Sequence, residues 1–156
     1  MSDRTLRIKI IGLGSPHGDD QAGWQVIRKV EQEELPENIE LLSLDRPGPA
    51  LLGYLRDCDR AILIDACMAG WTAGAIKRFS LQELLDCAEL QGRSSHQLGI
   101  ADSLQLAMIT GHELPDIQLF AIQIEQSQPL QPIGDVVASA CNKLSHQLLK
   151  QLLIDT

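Results

Sequence analysis

No apolar run in the sequence approaches the ~20 residues that a membrane-crossing helix needs. Basic residues are not in surplus either: 13 Lys and Arg stand against 21 Asp and Glu, a formal net charge of -8. Scattered cations on an acidic chain argue against a nucleic-acid or anionic-membrane surface, so neither is expected as a partner. Cys58, Cys67, Cys87 and Cys141 form no C-x-x-C pair and read as reduced thiols. Met1 to Arg7 leads straight into a strand and leaves no room for a signal peptide, so the expected location is the cytoplasm. Two signatures of hydrolytic chemistry, H-E-x-x-H and the Ser-His-Asp nucleophile elbow, are missing. The dinucleotide fingerprint is incomplete as well. Gly12-x-Gly14 lacks its third glycine, and the best acidic residue after the second strand is Asp45.

What is present is a regular alternation. Arg7–Leu13, Ile39–Leu44, Arg60–Asp65, Ala75–Phe79 and Ile117–Ile124 read as strands. Between and after them, helical spacing marks Gln21–Glu33, a short helix following Pro49, Leu98–Thr110 and Ile133–Leu153. Ser80-x-x-Glu83 is a capping box, which predicts a helix from there to about Leu90. With no linker, repeat or low-complexity tract, 156 residues fit one domain spanning 1–156. The expected fold is α/β, a three-layer αβα sandwich with a mostly parallel sheet of about five strands.

In open α/β sheets, ligands bind beyond the carboxyl ends of the strands. Asp19 and Asp20 follow the first strand, Asp65 closes the third, and His96 stands at a helix mouth before the last. A carboxylate that ends a buried apolar run needs a partner. A shared divalent metal such as nickel, zinc or manganese would supply it, with Asp20, Asp65 and His96 as ligands. The same residues also admit structural readings: Asp20 as a helix N-terminal acid, Asp65 as a loop cap, His96 as a solvated loop residue. His17 is a candidate extra ligand or general base. His112 reads as a turn residue, and His146 as exposed on the last helix. Cys87 and Cys141 read as helical core, and Cys67 as a thiol near the rim.

Three blocks carry a resemblance to a known family. They are Gly12-Leu13-Gly14 with Gly18-Asp19-Asp20-x-x-Gly23, then Ile62-Leu63-Ile64-Asp65-Ala66, and Ser95-His96-Gln97-Leu98-Gly99. Together they make the chain resemble the hydrogenase maturation proteases over nearly its whole length. The resemblance implies a metal site of Asp20, Asp65 and His96, and Asp19 or His17 would then stand near enough to assist as a further catalytic residue. It also implies a metal-dependent endopeptidase that removes the C-terminal peptide of a nickel-loaded large-subunit precursor of a nickel–iron hydrogenase. The metal would be nickel supplied by the substrate, with zinc or cadmium as surrogates. This chain departs from the family pattern at Ser15, where Asn is usual, in a loop one residue shorter before Asp19, and at Asp45-Arg46-Pro47-Gly48. Two other classes stay in view: a non-catalytic nickel-dependent binding protein or chaperone, and a phosphate-binding α/β domain using Gly12 and Gly14.

Overall fold

The strand β1 (Ile8–Gly14) lies inside the sheet, flanked by parallel neighbours β2 (Ile39–Asp45) and β3 (Arg60–Cys67). A computed structural model of the chain describes residues 4–87 and 99–154. Beyond β3 the sheet continues with parallel β5 (Asp116–Gln123) and ends on antiparallel β4 (Ile76–Ser80), giving the order β2-β1-β3-β5-β4. The five strands and the mostly parallel pairing are those expected from the alternation of apolar runs.

Both faces of the sheet are covered, and strand periodicity decides which residue meets which layer. On one face Ile8, Ile10, Ile62, Ile64, Phe120 and Ile122 pack with α1 (Ala22–Val30) and α5 (Asp135–Ile154). The opposite face sets Ile11, Leu13, Ala61, Leu63, Ile117 and Leu119 against Leu51, Leu55, Leu84 and Leu104. These last belong to α2 (Leu51–Tyr54) and the residue after it, α3 (Leu81–Asp86) and α4 (Ile100–Ile109). The capping box forms as its spacing requires: the Glu83 amide donates to Ser80 Oγ, and the Ser80 amide to Glu83 Oε1, both at 3.2 Å. Helix α3 stops at Asp86, earlier than the expected run to Leu90, and Leu90 itself lies outside the described residues. Cys87 is therefore no helical core residue; it follows the last turn of α3 and is half-buried. Cys141 is buried as expected. Among the described residues no helix is long and apolar enough to cross a membrane.

One contact decides how the first helix meets the sheet. A Cβ on Gly23 would stand 2.7 Å from the Ile64 carbonyl oxygen and closer still to that of Leu13. A Cβ on Gly12 would meet the Gly23 carbonyl from the other side. Backbone thus lies on backbone, and glycine at both places is a requirement of approach. Gly23→Ala should cost about 1–3 kcal/mol or more through overpacking against unyielding carbonyls, read as a lowered urea midpoint at unchanged slope.

Candidate functional site

Because β1 sends its chain to β2 on one side and pairs with β3 on the other, the sheet has a switch point between β1 and β3. A crevice opens beyond the carboxyl ends of strands at such a point. The chain turns out of β1 through residues 15–17 into a short 3-10 turn, Gly18–Gln21, that carries Asp19 and Asp20 into α1. Asp65 lies two residues before the end of β3. All three carboxylates are buried, at 1%, 2% and 5% exposure for Asp19, Asp20 and Asp65. Charged groups so deep need partners, and the three are served differently.

Asp19 is saturated. Its Oδ2 accepts the amides of Glu125 (3.0 Å) and Gln126 (3.2 Å), and its Oδ1 accepts the Gly134 amide at 2.8 Å. The Gln126 side chain adds a longer bond at 3.4 Å. In return the Asp19 amide donates to the Gln126 carbonyl at 3.0 Å. The side chain thereby ties the segment between β5 and α5 down onto the loop after β1. A general acid or base needs an oxygen within reach of the substrate, and these oxygens are held by backbone donors.

Asp20 is gripped from within its own loop. The Ser15 hydroxyl, itself 1% exposed, donates to Asp20 Oδ2, and the Ser15 amide donates to the Asp20 carbonyl at 3.3 Å. The Asp20 amide in turn donates to the His17 carbonyl at 3.0 Å.

Asp65 is the frustrated member. Its Oδ1 is buried and has no hydrogen-bond partner among the described residues. Burial first, then the charge of Asp20, pushes its carboxyl well above the ordinary range, against a smaller downward pull from the Ala66 amide. It lines a cavity of about 30 Å³, with Cys67, Leu84, Gly99, Ile100 and Leu119 among the walls. A buried orphan oxygen beside a second carboxylate fits a hard or borderline divalent cation, and two oxygen donors leave positions for imidazole, water or substrate. His96, the expected third ligand, lies outside the described residues, as do Ser95 and Gln97. Among the described residues no group of three or more His, Cys, Asp or Glu is placed to hold a metal.

Other candidates sort themselves by environment. Burial, with Asp65 next in effect, pushes the Cys67 thiol up to about 12, which disfavours a free thiolate there. His17 is partly buried, with Nδ1 enclosed and unpartnered. His112 is exposed in a turn, 2.8 Å from Thr110 Oγ1, and His146 is exposed on α5. Gly12 and Gly14 serve packing: a Cβ on Gly14 would stand 2.7 Å from the Asp20 carbonyl and 3.2 Å from Trp24 Nε1. With Asp19 and Asp20 in the turn ahead of α1, nothing there favours a phosphate.

Two rim residues were not among the candidate site residues, although Arg46 lies in the segment that departs from the family pattern. Gln123 is 4% exposed, and its Oε1 accepts the amides of Ala69 (2.9 Å) and Trp71 (3.2 Å), holding the turn after β3. Arg46 takes a left-handed backbone (φ 42°) at the end of β2, and its amide donates to the Gly14 carbonyl at 3.1 Å. Its guanidinium bonds Asp45 Oδ1 at 2.7 Å, and Asp45, with a lesser contribution from Asp20, raises it above its ordinary value.

With this geometry in hand, comparison with known proteins is informative. The family profile described as hydrogenase maturation protease matches residues 24–151. The hydrogenase 2 maturation protease of Escherichia coli K12 is 27% identical over 149 residues, which is 94% of this chain and 91% of the relative. The solved hydrogenase maturating endopeptidase HybD of E. coli superposes with a TM-score of 0.81 at 26% identity, covering 94% of this chain and 92% of its own. A NiFe hydrogenase maturation protease from Thermococcus kodakarensis shares the fold, with a TM-score of 0.75 at 22% identity over 94% of this chain and 99% of its own.

The contrast between the aspartates generates two expectations. A folded pKa raised above the unfolded one contributes stability that is complete below the unfolded value and is lost as pH rises through the folded one. Asp65→Asn should therefore stabilise the client-free protein at neutral pH by on the order of 1 kcal/mol, about 2–4 °C in Tm. The gain should shrink as pH falls into the ordinary carboxylate range; melts across a pH series that show a constant or negative difference would contradict it. Asp19→Ala should instead cost on the order of 2–4 kcal/mol. Hydrogen exchange should show lost protection at the Glu125, Gln126 and Gly134 amides, with β3 amides unaffected.

Proposed function

Since the chain belongs to the hydrogenase maturation proteases and is a peptidase of that family, we propose that it removes the C-terminal peptide of a nickel-loaded large-subunit precursor of a nickel–iron hydrogenase. The observation that carries the metal-dependent part is the buried, unpartnered Oδ1 of Asp65 beside Asp20 at the switch-point crevice. In this reading the nickel belongs to the client. Asp20, Asp65 and His96 are the residues that would hold it.

A bound divalent ion can polarise a scissile carbonyl or lower the pKa of a water at neutral pH. The chain's own residues do the rest. The upward push on the Asp65 carboxyl means that a cation would compete with a proton for it. Asp20 supplies the second negative oxygen, and its charge raises the affinity of the pair for any cation that enters. Asp19 acts as the tie that keeps the 125–134 segment against the crevice, so its part is positional. Hydrophobic walls at Leu84, Ile100 and Leu119 limit water around Asp65, which strengthens each electrostatic contact there.

Incubation of the protein with nickel-loaded and nickel-free precursor, followed by mass spectrometry, tests the reading. Loss of the C-terminal peptide is expected on loaded precursor alone. Asp20→Asn, Asp65→Asn and His96→Ala should each slow that loss by at least ~100-fold. Nickel-dependent complex formation with the precursor mass intact would instead favour the non-catalytic binding protein.

A further inference from the structure

We propose that Ser15 is a positioning residue for Asp20, and that its hydroxyl sets the orientation in which this carboxylate meets a metal. The inference rests on the metal reading given above. An aspartate's terminal torsion is broad and weakly determined on its own. In a buried site a carboxylate plane is therefore fixed only by what bonds its oxygens. Ser15 supplies one such bond, its hydroxyl donating to Asp20 Oδ2, while its amide separately holds the Asp20 backbone carbonyl. The two contacts close the loop from residue 15 to residue 20 on itself. Bound at backbone and side chain together, Asp20 is held close to the end of β1, whose ladder with β3 runs to Gly12 and Ile64, the residue before Asp65.

The surroundings favour orientation over simple neutralisation. Serine brings a donor without charge, so this contact orients the carboxylate without forming an ion pair with it. Arg46 is exposed and already bonded to Asp45, whereas Ser15 is buried against the carboxylate itself. A hydrogen bond to a ligating oxygen is the kind of outer support whose removal costs 10–100-fold in metal affinity.

Calorimetric titration of the full chain with nickel ion alone, at fixed pH, tests this. Ser15→Ala should weaken binding by about 10–100-fold, and Ser15→Thr, which keeps the hydroxyl, should restore most of it. Against an Asp20→Asn background, Ser15→Ala should add less than about a twofold loss, because its effect runs through the carboxylate already removed. Binding by Ser15→Ala within twofold of the parent overturns the proposal, and so does an equal penalty in both backgrounds, which marks a general structural role. The two readings fail separately. Nickel binding unweakened by Asp20→Asn overturns the metal reading and this inference with it. A large loss in Asp20→Asn with none in Ser15→Ala overturns this inference alone.

Discussion

The backbone contact between Gly12 and Gly23 governs everything at the upper rim of this sheet. A helix held off by a single methyl would move the turn before it by the same amount. That turn carries Asp19 and Asp20. The close approach fixes the height of the first helix above β1 and β3, and so the level at which two acidic side chains enter the crevice. Carboxylates at such depth tolerate little displacement, because each tenth of an ångström changes which donor is in reach. Packing of the most elementary kind, backbone on backbone, is what makes the electrostatics possible.

Adjacent residues of one type then take opposite parts. Asp19 finds three backbone donors and a side-chain amide, so its charge is absorbed by structure. Asp65 finds no partner for one oxygen and is left under the repulsion of Asp20. A protein that wanted only stability would remove that carboxylate. Keeping a destabilising group where a strand meets a crevice is the pattern expected when the group serves a ligand.

Much of this was legible in the chain. Short apolar runs, most of them continuous, located all five strands, and the S-x-x-E spacing gave the start of α3, because both signals come from local geometry. Strand ends also pointed to Asp20 and Asp65, since a polar residue closing a buried run is visible without coordinates. Asp19 illustrates the limit. Its sequence neighbourhood is that of Asp20, and the difference lies wholly in donors more than a hundred residues away, at Glu125, Gln126 and Gly134. Gln123 was silent for the same reason, since it braces a turn across the sheet; the segment of Arg46 stood out in the sequence, but not the left-handed backbone that its residue type rarely adopts. Cys87 was misplaced because helical spacing continues in the sequence past the point where the backbone turns extended, at Cys87 itself.

The sheet ends on a strand of only five residues, β4, with Lys77 and Arg78 exposed in succession and the Lys77 ammonium seated 4.1 Å over the Trp71 ring. Short, charged borders of this kind discourage a visiting chain from joining by main-chain pairing, as they discourage self-association. An incoming polypeptide is thereby steered away from lateral recruitment along β4.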